Sequence, residues 1–160
     1  MFIRSSNTSI FMLISHKFLT VCEKCQAFCC QLVKPPITEK EKNDIINAGF
    51  TDHFIKIEEG IYAIQSNKND SCPYLKNDYS CEIQPVKPIL CKVWPVIPRY
   101  KDNKRSCIVI KCPLFPSLTE KEIKQAKKEA NTIPLSILAH LWKISPEIKQ
   151  KYKQFEYKEI

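Results

Sequence analysis

The stretch that decides the fold is CEIQPVKPILCKVWPVIP, residues 81–98, which holds four prolines and two cysteines. Proline fixes φ and lacks an amide hydrogen, so this density excludes a long helix and predicts a rigid, irregular loop. Prolines on both sides of Cys91 restrict its backbone, which lowers the entropic cost of bringing its thiolate to a shared ion. Lys87 and Lys92 are cations close to Cys91, and we expect them to favour its ionised form.

The chain has nine cysteines, which fall into three groups, and the C-terminal segment contains none. An odd number of cysteines cannot all pair, and cytosolic thiols stay reduced, so metal binding is favoured over a disulfide framework. The candidate metal ligands are Cys22, Cys25, Cys29 and Cys30, then Cys72, Cys81 and Cys91, and finally Cys107 and Cys112.

The first group reads CEKCQAFCC over residues 22–30 and contains a C-x-x-C pair. On a continuous helix, Cys22, Cys25 and Cys29 share one face. Cys30 then points elsewhere, toward a second metal ion, an outer-shell hydrogen bond or no partner. A thioredoxin-like role is disfavoured because no βαβ pattern surrounds the pair. In the second group, a polar turn over residues 76–80 is expected to bring Cys72 and Cys81 together.

Three ordered blocks carry a resemblance to a known family. They are the tetrad at residues 22–30, the Cys-x-x-Leu at residues 72–75, and Cys81 followed by the Lys-Pro-x-x-Cys-Lys-x-Trp-Pro block at residues 87–95. Over residues 18–113 the chain resembles the YkgJ-type cysteine-cluster family, described as zinc- or iron-chelating domains. The resemblance implies metal chelation. Cys112 matches a later family cysteine, and Cys107 matches less clearly.

The chain departs from the family pattern at two kinds of position. Three residues separate Cys25 and Cys29 where the family usually has two, and Lys87 and Lys92 stand where the family has arginine. The lysines keep the charge but lose the bidentate guanidinium fork.

Two function classes follow from a thiolate site, because all-cysteine ligation suits both zinc and iron–sulfur centres. In the first, four thiolates close a structural zinc site, and the protein is an accessory or binding factor that acts on another protein. In the second, the cysteines hold iron, including a [4Fe–4S] cluster, in an enzyme related to flagellin lysine N-methylases, which carry similar cysteine blocks. The chain has only two glycines, Gly49 and Gly60, so it lacks a glycine-rich loop for a nucleotide cofactor. Whether the protein is an enzyme stays open, and no catalytic residue is assigned.

Local signals predict several regular elements. Capping boxes at Thr38–Glu41 and Thr119–Glu122 predict helices over residues 39–48 and 120–130. Further helices are expected from Pro134 to Trp142 and from Ser145 onward. Residues 53–57 and 61–64 read as two strands joined by a short turn.

These elements define the expected architecture. It is an α+β fold, a small metal-organised domain with short strands, irregular proline-rich loops and a helical C-terminal tail. Residues 1–17 form an N-terminal segment, residues 18–116 the cysteine-cluster metal-binding domain, and residues 117–160 the helical C-terminal extension.

Charge and hydropathy limit the partners. The formal net charge of +8 counts every thiol as neutral, so a filled thiolate site reduces it and nucleic-acid binding is disfavoured. The apolar run at residues 10–14 is too short to cross a membrane, and it has no cleavage site, so a cytoplasmic protein without a membrane partner is expected.

His16, His53 and His140 are isolated in sequence; His16 is a minor ligand candidate near the tetrad. Trp94 is expected to shield the metal from water.

Overall fold

Helices and short strands alternate along the chain, and the strands form two three-stranded antiparallel sheets. The computed structural model describes residues 19–32, 35–141, 150 and 153–160. The expected mixed helix-and-strand class is therefore confirmed. The predicted metal organisation of the fold stays a prediction.

The first sheet is built from local signals in the middle of the chain. It contains β1 (Pro36–Thr38), β2 (Phe54–Glu58) and β3 (Ile61–Ile64) in the order β1-β3-β2. Helix α2 (Glu39–Asn47) follows β1 directly, and its capping box is formed by Thr38 and Glu41 as predicted. The β2–β3 hairpin is also confirmed, with a register shift after Lys56. Strand β1 was not predicted.

The second sheet is a correction to the sequence analysis. Strands β4 (Val96–Lys101) and β5 (Lys104–Ile110) pair as a hairpin, although a loop was predicted through Pro98. Strand β4 lies at the sheet edge, where a missing proline amide is tolerated. The hairpin turns at Asp102 and Asn103, which both have left-handed φ values of 52° and 58°, as a two-residue hairpin turn requires.

The C-terminus corrects a second expectation. Strand β6 (Tyr157–Glu159) pairs antiparallel with β5, so the C-terminal tail is not helical to its end. The Ile160 amide donates to the Cys107 carbonyl at 3.0 Å, which ties the last residue to the same sheet. The helix predicted from Ser145 lies outside the described residues, as do Trp142 and the segment 1–17.

Short helices complete the fold. Helix α1 (Phe28–Leu32) precedes the first sheet, and α3 (Ile89–Lys92) is a single turn between the prolines. Helices α4 (Glu120–Ala130) and α5 (Leu135–Leu141) fall where the second capping box and Pro134 predict them. In the described part of the chain, no helix is both long enough and apolar enough to cross a membrane.

The buried apolar side chains form three separate cores. The first core joins β4, β5, α3, α4 and α5, and includes Val93, Val96, Cys107 and Leu138. The second core packs α2 against the first sheet and contains Ile45, Ile64, Tyr74 and Ile83. The third core is the small cluster of Ile110, Cys112 and Leu114, with Val21, Trp94, Ile97, Leu118 and Phe155 packed against it.

Candidate functional site

The N-terminal cysteines lie on two helical segments rather than one. Residues 19–25 are helical, and α1 begins at Phe28 after a turn at Gln26 and Ala27. Both turn residues adopt left-handed backbone, with φ of 54° and 49°. The turn is held because the Ala27 amide donates to the Cys22 carbonyl at 2.8 Å, and Ala27 is fully buried. The predicted single helical face for Cys22, Cys25 and Cys29 is therefore wrong.

Cys30 lies at the centre of the cysteines that the fold brings together. Its sulfur interacts electrostatically with those of Cys22, Cys29, Cys81 and Cys91. Of the alternatives expected for Cys30, the absence of any partner is wrong, because its sulfur is hydrogen-bonded to Cys29; a second metal ion and an outer-shell role stay predictions. We call these five residues the thiol cluster: Cys22, Cys29, Cys30, Cys81 and Cys91. All five are partly buried and carry free thiols.

The second cysteine group joins the cluster through backbone contacts. The Cys72 amide donates to the Cys30 carbonyl at 2.9 Å, which binds this segment to α1. The predicted polar turn closes, since Leu75 and Cys81 form a β-bridge and the Lys76 amide donates to the Ser80 carbonyl at 2.9 Å. Cys72 and Cys81 both pack against the second core. Cys72 lies at the edge of the cluster, where its sulfur interacts with that of Cys91.

The Cys91 turn is held from two directions. On one side, Leu90 and Val93 are buried in the first core. On the other, Glu41 joins the turn to α2: one carboxylate oxygen accepts from the Ile89 amide at 2.8 Å, and the other accepts from the Thr38 amide at 2.9 Å. Sequence reasoning found Glu41 only as half of a capping box. Its second bond spans 48 residues, and no local pattern indicates it.

The Lys87 charge acts on several of the thiols. It interacts electrostatically with Cys91, Cys81, Cys30 and Cys29, and the side chain is partly buried. Burial alone lowers the pKa of Lys87, but the surrounding thiolates together raise it above its ordinary value. The predicted proximity of Lys87 to Cys91 is confirmed. Lys92 is exposed, and together with Lys87 it lines an open groove between α2 and the loop that joins α4 to α5.

The thiols of the cluster differ in acidity. Burial raises the pKa of Cys22 to about 11, and it also raises the pKa of Cys81 and Cys91. The Cys29 thiol donates a hydrogen bond to the Cys30 sulfur, which raises the pKa of Cys29 and lowers the pKa of Cys30 to about 7. At Cys91 the Lys87 charge lowers the thiol pKa, as expected of a nearby cation, but burial outweighs it, so the net pKa of Cys91 is raised. Any ion that binds here must release protons.

Cys25 and Cys112 form a pair at the margin of the cluster. Cys25 interacts with Cys22, and its thiol lies 3.8 Å from the Cys22 carbonyl oxygen. Cys112 is buried in the third core, where it interacts with Cys25 and is hydrogen-bonded by the Trp94 indole. Trp94 therefore covers Cys112. Its predicted role as a shield for a metal ion stays a prediction.

Cys107 lies elsewhere. It is fully buried in the first core, opposite Pro98 in the β4–β5 ladder. Its thiol lies 3.8 Å from the Asn131 side-chain oxygen. The charged groups that act on it are Lys127 and Arg105. The structure does not bring Cys107 to the thiol cluster.

The histidines take other positions as well. His53 packs edge-on against Tyr74, with ring centroids 5.2 Å apart. His140 contacts a Glu58 carboxylate oxygen at 3.1 Å. His16 lies outside the described residues.

The side chains as they stand do not form a closed metal site. Across the residues that the structure describes, no group of three or more histidine, cysteine, aspartate or glutamate side chains has an arrangement that could hold a metal ion.

Comparison with known proteins adds no relative. The chain matches no protein-family model, no curated protein and no solved structure. The resemblance to the YkgJ-type family therefore stays a prediction carried by the cysteine blocks.

Proposed function

We propose that this protein chelates zinc or iron through thiolates of the thiol cluster, and that it serves as an accessory or binding factor for another protein. The observation that carries the proposal is the position of Cys30. Its sulfur has as neighbours cysteines from three separate segments: Cys22 and Cys29, then Cys81, then Cys91. Thiolate is the donor that zinc and iron–sulfur centres prefer.

The segments that carry these cysteines are attached to different cores. Val21, beside Cys22, packs against the third core, Cys81 against the second, and the Cys91 turn against the first. A bound ion would therefore add a link between segments that are anchored in three different cores. Binding free energy at such a site is partly folding free energy.

We propose that side-chain rotation closes the site. A cysteine has one side-chain torsion, and a change of rotamer moves its sulfur by a few ångströms while the backbone stays in place. The backbone here is already fixed by the Cys72–Cys30 hydrogen bond and by Glu41 on the Cys91 turn. We propose that metal binding selects the converging rotamers.

The number of thiols keeps the iron alternative open. One structural zinc ion takes four thiolates, whereas the cluster has five cysteines, with Cys25 and Cys72 at its edge. The surplus suits either a zinc site with bystander thiols or an iron–sulfur centre. An iron centre would favour the enzyme class, in which lysine methyl transfer is the proposed reaction.

The test is anaerobic purification followed by metal and sulfide analysis and an absorption spectrum. A colourless protein with stoichiometric zinc supports the structural site. A brown protein with iron and inorganic sulfide supports the iron–sulfur alternative. Absence of both metals, with no uptake by the fully reduced protein, would contradict the proposal.

A further inference from the structure

One pair of cysteines from distant parts of the chain is joined through the backbone. Cys30 lies in α1, and Cys72 follows the loop after β3, about forty residues later. The Cys72 amide donates to the Cys30 carbonyl at 2.9 Å. An amide nitrogen lies about 1.5 Å from its own Cα and a carbonyl oxygen about 2.4 Å from its own, so this hydrogen bond keeps the two Cα atoms within about 6.8 Å of each other.

That separation suits a disulfide. Cysteines joined by a disulfide have Cα atoms about 4.4–6.8 Å apart, and each side chain has a single torsion that moves its sulfur. Both sulfurs act on the Cys91 thiol, which agrees with side chains that extend toward the same part of the molecule. Cys30 and Cys72 are reduced and only partly buried, so a small oxidant reaches them in the folded protein.

The other cysteines are less suited to pairing. Cys29 and Cys30 are adjacent in α1, and a disulfide between neighbours strains the peptide that joins them. Cys107 and Cys112 are buried in two different apolar cores. Among the backbone hydrogen bonds that the described residues form outside helices and strands, the bond from Cys72 to Cys30 is the one that joins two cysteines.

We propose that Cys30 and Cys72 form a site of reversible oxidation, at which a peroxide converts the two thiols to a disulfide. One thiol releases its proton, its thiolate attacks a peroxide oxygen, the O–O bond breaks and hydroxide leaves, which gives a sulfenic acid. The second thiol attacks the sulfenic sulfur, an S–S bond forms and water leaves. Hydroxide takes up the released proton. The two thiols lose two electrons, and hydrogen peroxide becomes two water molecules.

The disulfide changes how α1 is held. In the reduced protein, α1 is attached by the Cys72–Cys30 hydrogen bond and by an edge-on contact of Phe28 with Phe155, whose ring centroids are 5.6 Å apart. The S–S bond closes a loop of about forty residues that contains the first sheet and α2, and it stabilises the fold by constraining the unfolded chain. Oxidation also withdraws Cys30 from metal ligation, and this consequence alone rests on the proposed function.

The test locates the disulfide directly. The full chain is reduced, freed of reductant in the presence of a chelator, treated with one equivalent of hydrogen peroxide, alkylated and digested without reduction. Trypsin cleaves after lysine but not before proline, so Cys72 falls alone in the peptide 69–76 and Cys30 falls in the peptide 25–40. Mass spectrometry identifies the linked pair, and fragmentation places the bond. Cys72→Ser and Cys107→Ser are treated in parallel.

The expected product is the 25–40 peptide joined to the 69–76 peptide through Cys30, with two thiols lost per chain and both restored by dithiothreitol. Oxidation should raise Tm by at least about 5 °C in the wild type and in Cys107→Ser. It should leave Tm unchanged in Cys72→Ser.

Recovery of the 69–76 peptide in alkylated form would overturn the inference, and so would its linkage to any cysteine other than Cys30. An equal rise of Tm in oxidised Cys72→Ser would overturn it as well, because another bond would then be responsible. These outcomes do not bear on metal binding, which metal analysis of the untreated protein tests separately.

Discussion

Cys107 and Cys30 are both withdrawn from water, but their surroundings differ in kind. Cys107 is fully buried among apolar side chains such as Val96 and Val109, and its thiol has only a weak contact with Asn131. Cys30 is partly buried, and its neighbours are other thiols and a lysine ammonium. Cys107 behaves as a small hydrophobic residue whose environment is complete without a ligand. The thiol cluster instead places several cysteine side chains near one another, and sulfur is a donor that soft metal cations prefer. Apolar packing alone does not explain why these cysteines are neighbours.

The two regions also differ in what holds them. The first core is built mainly from two paired strands and the two longer helices, α4 and α5, with the single turn α3 packed against them. The cluster is formed by a one-turn helix, a left-handed turn and a short polar turn. We therefore expect a bound ion to stabilise the cluster region strongly and the first core weakly.

Metal removal is expected to have the largest effect. When free metal exceeds its Kd a thousandfold, binding stabilises the folded state by about 4 kcal/mol, which corresponds to roughly 10 °C in Tm for a chain of this size. Hydrogen exchange should locate the change: after chelation the Cys72 amide should lose protection before the β5 amides do. An unchanged Tm, or an equal loss of amide protection in both regions, would contradict the expectation that a bound ion stabilises the cluster region more than the first core.

Replacing one cysteine from each region gives the next largest effect. Cys30→Ser should weaken zinc affinity by at least about 100-fold, because it removes a soft ligand from the centre of the cluster. Cys107→Ser should keep the wild-type affinity and lower the free energy of unfolding by about 1–2 kcal/mol, since it buries a hydroxyl in an apolar core. The measurements are chelator competition and urea unfolding. Similar losses of zinc affinity in both variants would contradict the assignment of different roles to Cys30 and Cys107.

Alkaline pH should destabilise the metal-free cluster. The pKa of Cys22 is raised from 9.0 to about 11 in the folded protein, so the fold favours the neutral thiol. This contribution is fully present below about pH 9 and is lost as the pH rises toward about pH 11. Allowing for partial exposure, we expect a loss of about 1–2 kcal/mol. Urea unfolding of the metal-free wild type and Cys22→Ser at about pH 8 and about pH 11 checks it. The variant should lose less stability across that range, and an equal loss would contradict the prediction.

The two capping boxes provide the finest comparison. Glu41→Ala and Glu122→Ala each remove a capping box, which should lower the free energy of unfolding by about 1 kcal/mol. Glu41→Ala also removes the acceptor of the Ile89 amide on the Cys91 turn, which should lower it by about 1 kcal/mol more. Zinc affinity should fall in Glu41→Ala and stay unchanged in Glu122→Ala. Identical urea midpoints and affinities for the two variants would show that the bond to Ile89 does not position Cys91.

Much of the fold could be predicted because its signals are local. Both capping boxes and the β2–β3 hairpin lie within a few residues of the elements they define. Strand β4 was missed because Pro98 reads as a loop residue, although an edge strand accepts it. Strand β6 depends on pairing with β5 across about fifty residues of chain, and short-range patterns carry no information about such contacts.

The candidate site was predictable in its residue types but not in its geometry. The cysteine spacing pointed to the residues of the thiol cluster but also to Cys107, which lies in the first core. The left-handed turn at Gln26 and Ala27 has no glycine to indicate it. That turn places Cys22 and Cys25 on a different helical segment from Cys29 and Cys30. The contacts of Lys87 and Glu41 likewise depend on how distant segments pack.

The most direct test of the account is a Co²⁺ titration of the reduced protein, followed by its absorption spectrum, with Cys30→Ser and Cys107→Ser alongside. Cobalt substitutes for zinc and reports thiolate ligation through charge-transfer bands and tetrahedral coordination through intense visible bands. The account predicts both sets of bands, saturating at a whole number of ions per chain, in the wild type and Cys107→Ser but greatly reduced in Cys30→Ser. The weak spectrum of hydrated Co²⁺ in the wild type would contradict convergence of the thiols on a metal.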